Sequence, residues 1–243
     1  MLLEVDAVTK RYGALIVTDC VRFTVPKGQA VGIIGPNGAG KTTLLNLISG
    51  TVQPDSGRIL LNGLDITYLP GSFRCRAGIG RTYQIPHPFS GMTVFENVLV
   101  AAIFGAGLSQ TQASRKALSV LEATDLLHRA NELAGSLRLL DRKRLELARA
   151  LATDPQLLLL DEIGGGLTEH ELHALVALIQ TIRSSGVTIL WIEHIVHALI
   201  SVVDRLIAVD FGRVIADGNP EAVMSNSEVQ AVYVGIDVDE IAR

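Results

Sequence analysis

Gly35-Pro36-Asn37-Gly38-Ala39-Gly40-Lys41-Thr42-Thr43 is the stretch on which the reading of this chain turns. It fits the pattern Gly, four residues, Gly-Lys-Ser/Thr, the spacing of a phosphate-binding P-loop. Ala30-Val31-Gly32-Ile33-Ile34 before it reads as a buried strand, and Leu44-Leu45-Asn46-Leu47-Ile48 after it as a helix. Strand, loop and helix in that order are the context the motif requires. Gly35, Gly38 and Gly40 allow a tight turn whose backbone N–H groups point into one concavity. A helix beginning near Gly40 adds the positive end of its dipole. Lys41 can reach the β- and γ-phosphates, and the Thr42 hydroxyl can ligate Mg²⁺. A glycine-rich turn with a stray lysine would not match all the fixed positions and both flanks. The stretch implies binding of a nucleoside triphosphate.

Working outward, Leu2–Val5 and Val21–Val25 are short β-prone runs separated from the P-loop strand by the turn Pro26-Lys27-Gly28. Arg58–Leu61 followed by Asn62-Gly63 is a hairpin signal. Gly78–Tyr83 reads as a further strand ending at Gln84, and residues 93–153 read as mostly helical. Beyond them, Leu157–Leu160, Val187–Ile192 and Leu206–Val209 are strands, with an amphipathic helix over Glu169–Arg183. Strand and helix in alternation predict an α/β fold. Its core is a P-loop type, mostly parallel sheet flanked by helices, with an N-terminal antiparallel β part and a helical subdomain. The expected division is one domain over 1–243. Residues 1–84 and 155–225 form the nucleotide-binding core, 85–154 the helical subdomain, and 226–243 a C-terminal helix or tail.

Leu157-Leu158-Leu159-Leu160-Asp161-Glu162 is an apolar strand ending in two adjacent carboxylates. The carboxyl end of a parallel strand faces the crevice where ligands bind. Asp161 there can hold Mg²⁺ through water, and Glu162 can polarise an attacking water. A surface Asp-Glu pair is the alternative; behind a P-loop it is the weaker one.

With these residues in place the chain resembles the ATP-binding subunits of ABC transporters, from about Leu3 to Gly235. In that family an aromatic near the N-terminus stacks on adenine, and Tyr12 in Lys10-Arg11-Tyr12-Gly13 matches it. A glutamine after a strand contacts Mg²⁺ and water and senses the γ-phosphate; Gln84 in Arg81-Thr82-Tyr83-Gln84 matches. A histidine after a late strand contacts the γ-phosphate; His194 in Leu190-Trp191-Ile192-Glu193-His194 matches. The resemblance thus implies ATP and Mg²⁺ as ligands, with catalytic roles for Lys41, Gln84, Glu162 and His194. Metal ligation falls to Thr42, Gln84 and Asp161. Nucleotide contacts fall to Tyr12, Gly35, Pro36, Asn37, Gly38, Ala39, Gly40, Lys41, Thr42, Thr43, Gln84, Arg138 and His194.

The departures from the family pattern are concentrated in one surface. Its signature, Leu-Ser-Gly-Gly-Gln, aligns with Leu137-Arg138-Leu139-Leu140-Asp141. In the family this segment meets the γ-phosphate bound to the opposite subunit. Arg138 replaces a hydroxyl with a charged fork and either binds phosphate or faces solvent. Ile163 stands where proline is usual, Gly164-Gly165-Gly166 follow, and Thr168 replaces an aspartate. ATP binding is therefore expected more firmly than fast hydrolysis.

Arg81–Gln84, Phe89, Met92–Val98, Leu45–Gly50, Arg142–Glu146 and Val232–Gly235 are similar to the branched-chain amino acid ATP-binding proteins, the larger of their two subunit types. This resemblance implies an importer of those or similar small solutes. Its partners would be hydrophobic permease subunits, a second ATP-binding subunit in a homo- or heterodimer and, indirectly, a solute-binding protein. The implied location is peripheral, on the cytoplasmic face of the inner membrane. Pro86, His87, Pro88, Phe89 and Met92 form either a docking groove for a permease helix or a local core. Two other readings are a degenerate ATP-binding subunit with low hydrolysis and a soluble ATP switch without a membrane partner. The latter usually carries two ATPase domains, long insertions or a basic surface.

Composition agrees with these limits. Of 243 residues 48% are apolar, enough for a buried parallel sheet, and the formal net charge of −4 argues against nucleic acid as a partner. The longest apolar stretch, Ile195–Val209, carries His197, Asp204 and Arg205, and no run reaches the roughly 18 residues of a membrane span. Met1–Asp6 lacks the features of a signal peptide. Cys20 and Cys75 have no metal or disulfide spacing and are expected as reduced, buried or half-buried thiols.

Overall fold

The structure, a computed structural model, describes residues 1–233. In chain order its principal elements are β1 (Leu3–Tyr12), β2 (Leu15–Val25), β3 (Ala30–Ile34), α1 (Lys41–Ser49), β4 (Ser56–Leu61), β5 (Leu64–Asp65), α2 (Gly71–Arg76) and β6 (Ile79–Arg81). There follow α3 (Val94–Phe104), α4 (Gln110–Ala123), α5 (Leu139–Ala152), β7 (Leu157–Asp161) and α6 (Glu169–Ser184). The last elements are β8 (Thr188–Ile192), α7 (Val196–Ile200), β9 (Arg205–Asp210), β10 (Arg213–Gly218), α8 (Pro220–Met224) and α9 (Ser227–Tyr233). The chain forms two compact units, residues 1–71 with 188 onward, and residues 72–187.

The first unit holds an antiparallel sheet in the order β2-β1-β4-β5 and the strand run β10-β9-β3-β8. In that run β3 is parallel to both β8 and β9, and β10 returns antiparallel to β9. Every residue of β3 and β8 is buried. Ala-Val-Gly-Ile-Ile and Thr-Ile-Leu-Trp-Ile are the continuous apolar runs that a strand covered on both faces requires. The register pairs Gly32 with Trp191 and Leu206 on its two sides.

The second unit pairs β6 with β7 in parallel, Ile79 against Leu157 and Arg81 against Leu159. Its helices α3, α4 and α5 share an apolar core that includes Val94, Val98, Ala117, Leu121, Leu145 and Ala148. Both α3 and α6 begin in a capping box: Thr93 with Glu96, and Thr168 with Glu171. In each, the Thr hydroxyl accepts from the Glu backbone N–H while the Glu carboxylate takes the Thr N–H, so two orphan donors are satisfied at once. Thr168 thus has a plain local role as a helix cap.

Two expectations need correction. β1 and β2 are long strands, not the short runs Leu2–Val5 and Val21–Val25. Register shifts interrupt their pairing between Val5 and Val8 and again after it, and Ala7 and Cys20 adopt φ of 52° and 51°. Such irregularities break the period-two pattern and conceal a strand from inspection. Polar residues in the interval are held by ion pairs, Lys10 with Asp55 at 2.9 Å and Arg58 with Asp6 at 3.0 Å. Cys20, for its part, is exposed; its N–H donates to Thr9 Oγ1 at 3.0 Å, and the Thr9 hydroxyl in turn donates to Cys20 Sγ at 3.7 Å. Cys75 is half-buried, and both thiols are free. No helix among the described residues is long and apolar enough to cross a membrane. Of the C-terminal helix or tail expected over 226–243, residues 226–233 are described and carry α9; residues 234–243, with the Val234-Gly235 part of the segment resembling relatives, lie outside the described residues.

Candidate functional site: a P-loop and a carboxylate pair

In the first unit the P-loop runs from the end of β3 into α1. Gly40 caps the helix at φ 95°, and a Cβ there would lie 2.2 Å from the Val17 carbonyl oxygen. Only glycine tolerates both that torsion and that approach. Lys41 is 5% exposed, and its ammonium donates back to the carbonyl oxygens of Gly35 at 2.6 Å and Pro36 at 2.9 Å. The loop thereby holds a buried cation inside its own turn, at the start of a helix whose dipole is positive there. Asn37, Gly38 and Thr42 are exposed, whereas Gly35, Ala39 and Gly40 are buried.

Tyr12 ends β1 half-exposed, with the Lys10 ammonium 5.6 Å from its ring centroid. His194 follows β8 on an exposed turn, and its N–H donates to the carboxylate of buried Glu193 at 3.0 Å.

The second unit carries the carboxylates. β7 delivers Asp161 and Glu162 at its carboxyl end, 3% and 8% exposed. The Asp161 carboxylate pairs with the Arg81 guanidinium at 3.0 Å, with side chains 4% and 6% exposed. Arg81 also lies over the Tyr83 ring, 4.8 Å to its centroid. Glu162 adopts φ 47°, a left-handed torsion unusual for a non-glycine residue and worth about 1–3 kcal/mol of stored strain. Gln84 Nε2 donates to Glu162 Oε2 at 2.6 Å. A carboxylate can only accept, so the amide nitrogen must face it, which turns the Gln84 carbonyl oxygen the other way.

The oxygen donors expected for Mg²⁺ are of the right chemistry. A threonine hydroxyl, an aspartate carboxylate and an amide carbonyl are hard ligands, and this cation takes few of them alongside substrate phosphates. Among the described residues no group of three or more His, Cys, Asp or Glu is arranged to hold a metal.

The structure therefore brings Gln84 to Glu162 as a bonded pair. It places Arg138 at the N-cap of α5, exposed and without a side-chain cap hydrogen bond. Leu139 beside it is 41% exposed. Asp141, at the end of the aligned signature, is instead turned inward and ion-paired with Arg129 at 3.2 Å and Arg144 at 3.6 Å. Sequence reasoning missed the partnership of Arg81 with Asp161; the only available sign was a cation just before Gln84. It also missed the buried Lys143 beneath the Gln84 loop. Phe89 and Ile85 are 48% and 67% exposed, whereas Pro86, Pro88 and Met92 are half-buried.

A glycine-rich loop between a buried strand and a helix, together with a strand ending in Asp-Glu, defines a P-loop ATPase. A family model described as ABC transporter matches residues 18–164, and the chain belongs to that family. It is 40% identical, over 96% of its length and 98% of the relative's, to the high-affinity branched-chain amino acid transport ATP-binding protein BraF of Pseudomonas aeruginosa. It is 37% identical to LivG of Escherichia coli K12, named for the same transport, over 96% and 98% of the two chains. Among solved structures it is similar to a nucleotide-free ATP-binding cassette from an ABC transporter, with TM-score 0.87 and 31% identity over 96% and 98%. The cassette MJ1267 in its ADP conformation gives TM-score 0.87 and 32% identity over the same shares. The fold is that of an ABC cassette, and the activity is ATP hydrolysis in a transporter subunit.

Proposed function

We propose that this chain powers an importer for branched-chain amino acids or similar small solutes. It would lie on the cytoplasmic face of the inner membrane against hydrophobic permease subunits, with a solute-binding protein delivering the solute. The names of the relatives support the solute class. The observation carrying the catalytic part is the Gln84–Glu162 hydrogen bond of 2.6 Å on a carboxylate delivered by β7.

ATP would rest its phosphates on the N–H groups of Gly35–Thr43, with Lys41 neutralising the developing charge and Tyr12 stacking on the base. Thr42, Asp161 and Gln84 would hold Mg²⁺, which supplies charge neutralisation at the phosphates when bound. Glu162 polarises the attacking water, and Gln84 fixes its carboxylate. His194 orients the γ-phosphate end. Residues 1–84 and 155–225 serve as the nucleotide-binding core and 85–154 as the helical subdomain.

A second ATP-binding subunit completes each site, its segment equivalent to Leu137–Asp141 facing this chain's P-loop. Binding of ATP closes the pair and hydrolysis reopens it, a change driven by differential affinity for two states. The exposed segment around Ile85 and Phe89 is the docking surface for the permease. Leu139, exposed where a glycine is usual, favours a variant of this reading. The nucleotide on the partner's P-loop would be hydrolysed slowly, while the one on this chain's P-loop turns over.

Leucine uptake by membrane vesicles holding the permeases and the second subunit, supplied with the solute-binding protein, tests the proposal. Uptake is expected only when this chain and ATP are present, and it should disappear with Glu162→Gln. Equal uptake without the chain would sink the importer reading.

A further inference from the structure

Lys143 lies on α5, 4% exposed, far from any carboxylate of the β7 end in sequence. Its ammonium donates to the backbone carbonyl oxygen of Gln84 at 2.9 Å. The same glutamine uses its side chain to hold Glu162 at 2.6 Å. One residue thus has its backbone tied to α5 and its side chain tied to the carboxylate that polarises water in the proposed mechanism. Two turns further along α5, the Arg149 guanidinium donates to the His87 carbonyl oxygen at 2.9 Å. It also pairs with Glu146 at 3.0 Å and lies over the Phe89 ring, 5.2 Å to its centroid. Two cations of one helix therefore grip two carbonyls of the short segment that follows β6. Burying an ammonium is costly unless hydrogen bonds compensate it, so the Lys143 contact resists being given up to water.

From this geometry we infer that Lys143 is a positioning residue for ATP hydrolysis. It fixes the Gln84 backbone against α5, so that the Gln84 amide meets Glu162. The inference rests on the roles given to Gln84 and Glu162 above. Removing Lys143 lets the Gln84 loop drift, and misplacement of the order of 1 Å lowers turnover by roughly 10- to 100-fold. The P-loop contacts to the phosphates are kept, so nucleotide affinity is expected to change no more than it does in Gln84→Ala.

The test is a double-mutant cycle on the full-length protein, read by single-turnover hydrolysis of radiolabelled ATP and by fluorescent-nucleotide binding. Lys143→Met is expected to lower the rate, with a change in Kd no larger than that of Gln84→Ala, and Lys143→Arg, which keeps an N–H donor, to recover most of it. In a Gln84→Ala background Lys143→Met should add no further loss, since the side chain it positions is gone. Should Lys143→Met not fold, Lys143→Gln runs the same cycle with a smaller loss that also vanishes beside Gln84→Ala. A wild-type rate in Lys143→Met, or losses that multiply with Gln84→Ala, overturns the inference. If Gln84→Ala and Glu162→Gln both keep the wild-type rate, the site reading itself is the one that fails.

Discussion

Gln84 Nε2 sits 2.6 Å from Glu162 Oε2, joining the loop after β6 to the carboxyl end of β7. The bond holds the carboxylate of a residue that is 8% exposed, on a backbone at φ 47°, so its direction is fixed in advance. Such preorganisation is what general-base work on a water molecule needs.

Glu162→Gln keeps size and hydrogen bonding to Gln84 but removes the proton acceptor. Hydrolysis is expected to fall by about 100-fold or more, the scale of losing a general base. ATP affinity should stay near wild type, because the P-loop is unchanged. With ATP and Mg²⁺ the variant should accumulate as a closed dimer, measured by light scattering on a sizing column. Unchanged turnover would remove Glu162 from its role.

Arg81 and Asp161 form an ion pair with both side chains nearly excluded from solvent. Taking the cation from a buried pair costs about 3–5 kcal/mol, because the carboxylate remains in a poorly solvated place. Arg81→Met is therefore expected to lower the urea unfolding free energy by about that amount. Adding Asp161→Asn, which removes the stranded charge, should restore most of it. A single-variant loss below about 1 kcal/mol would put the pair among exposed ion pairs instead.

What was legible in the chain was whatever has a local signal. The P-loop declares itself by spacing, and β3, β7 and β8 by unbroken apolar runs. The bonds that shape the site have no such signal. Arg81 and Asp161 are 80 positions apart, Gln84 and Glu162 78, and Lys143 and Gln84 59. No periodicity in a linear string marks a cation for a distant partner. Thr168–Glu171 was different, since Thr-x-x-Glu before an apolar-periodic run is a capping box in plain view. β1 and β2 escaped for a physical reason, the kinks at Ala7 and Cys20 that spoil alternation.

Gly40 and Gly38 separate two costs within the P-loop. Both have positive φ, 95° and 83°. A Cβ on Gly40 would meet the Val17 carbonyl oxygen at 2.2 Å, whereas one on Gly38 meets nothing within 4 Å. Gly38→Ala should therefore cost only the torsional strain of a left-handed residue, about 1–2 kcal/mol. Gly40→Ala adds a backbone collision and must shift the start of α1. Thermal unfolding is expected to rank Gly40→Ala well below Gly38→Ala, with ATP binding lost in the former. Equal stabilities would mean that the approach of Val17 does not constrain the loop.

The two thiols should differ in reactivity with pH. Cys20 is exposed, so an alkylating reagent reaches it directly. Cys75 is half-buried on α2, and burial pushes its thiol pKa up, against smaller opposing effects of a hydrogen bond with Thr153 and the charge of Arg76. The thiolate is the reactive form, so a raised pKa keeps Cys75 protonated and slow at neutral pH. As pH rises towards that pKa its rate must climb. Linkage runs in the same direction: the folded state binds the Cys75 proton more tightly than the unfolded one. Its contribution to stability is therefore present below the unfolded pKa and lost as pH rises through the folded value. Iodoacetamide labelling followed by peptide mass spectrometry is expected to find Cys20 modified first at neutral pH. Cys75 should catch up only under alkaline conditions, and faster labelling of Cys75 than Cys20 at neutral pH would contradict the burial seen around α2.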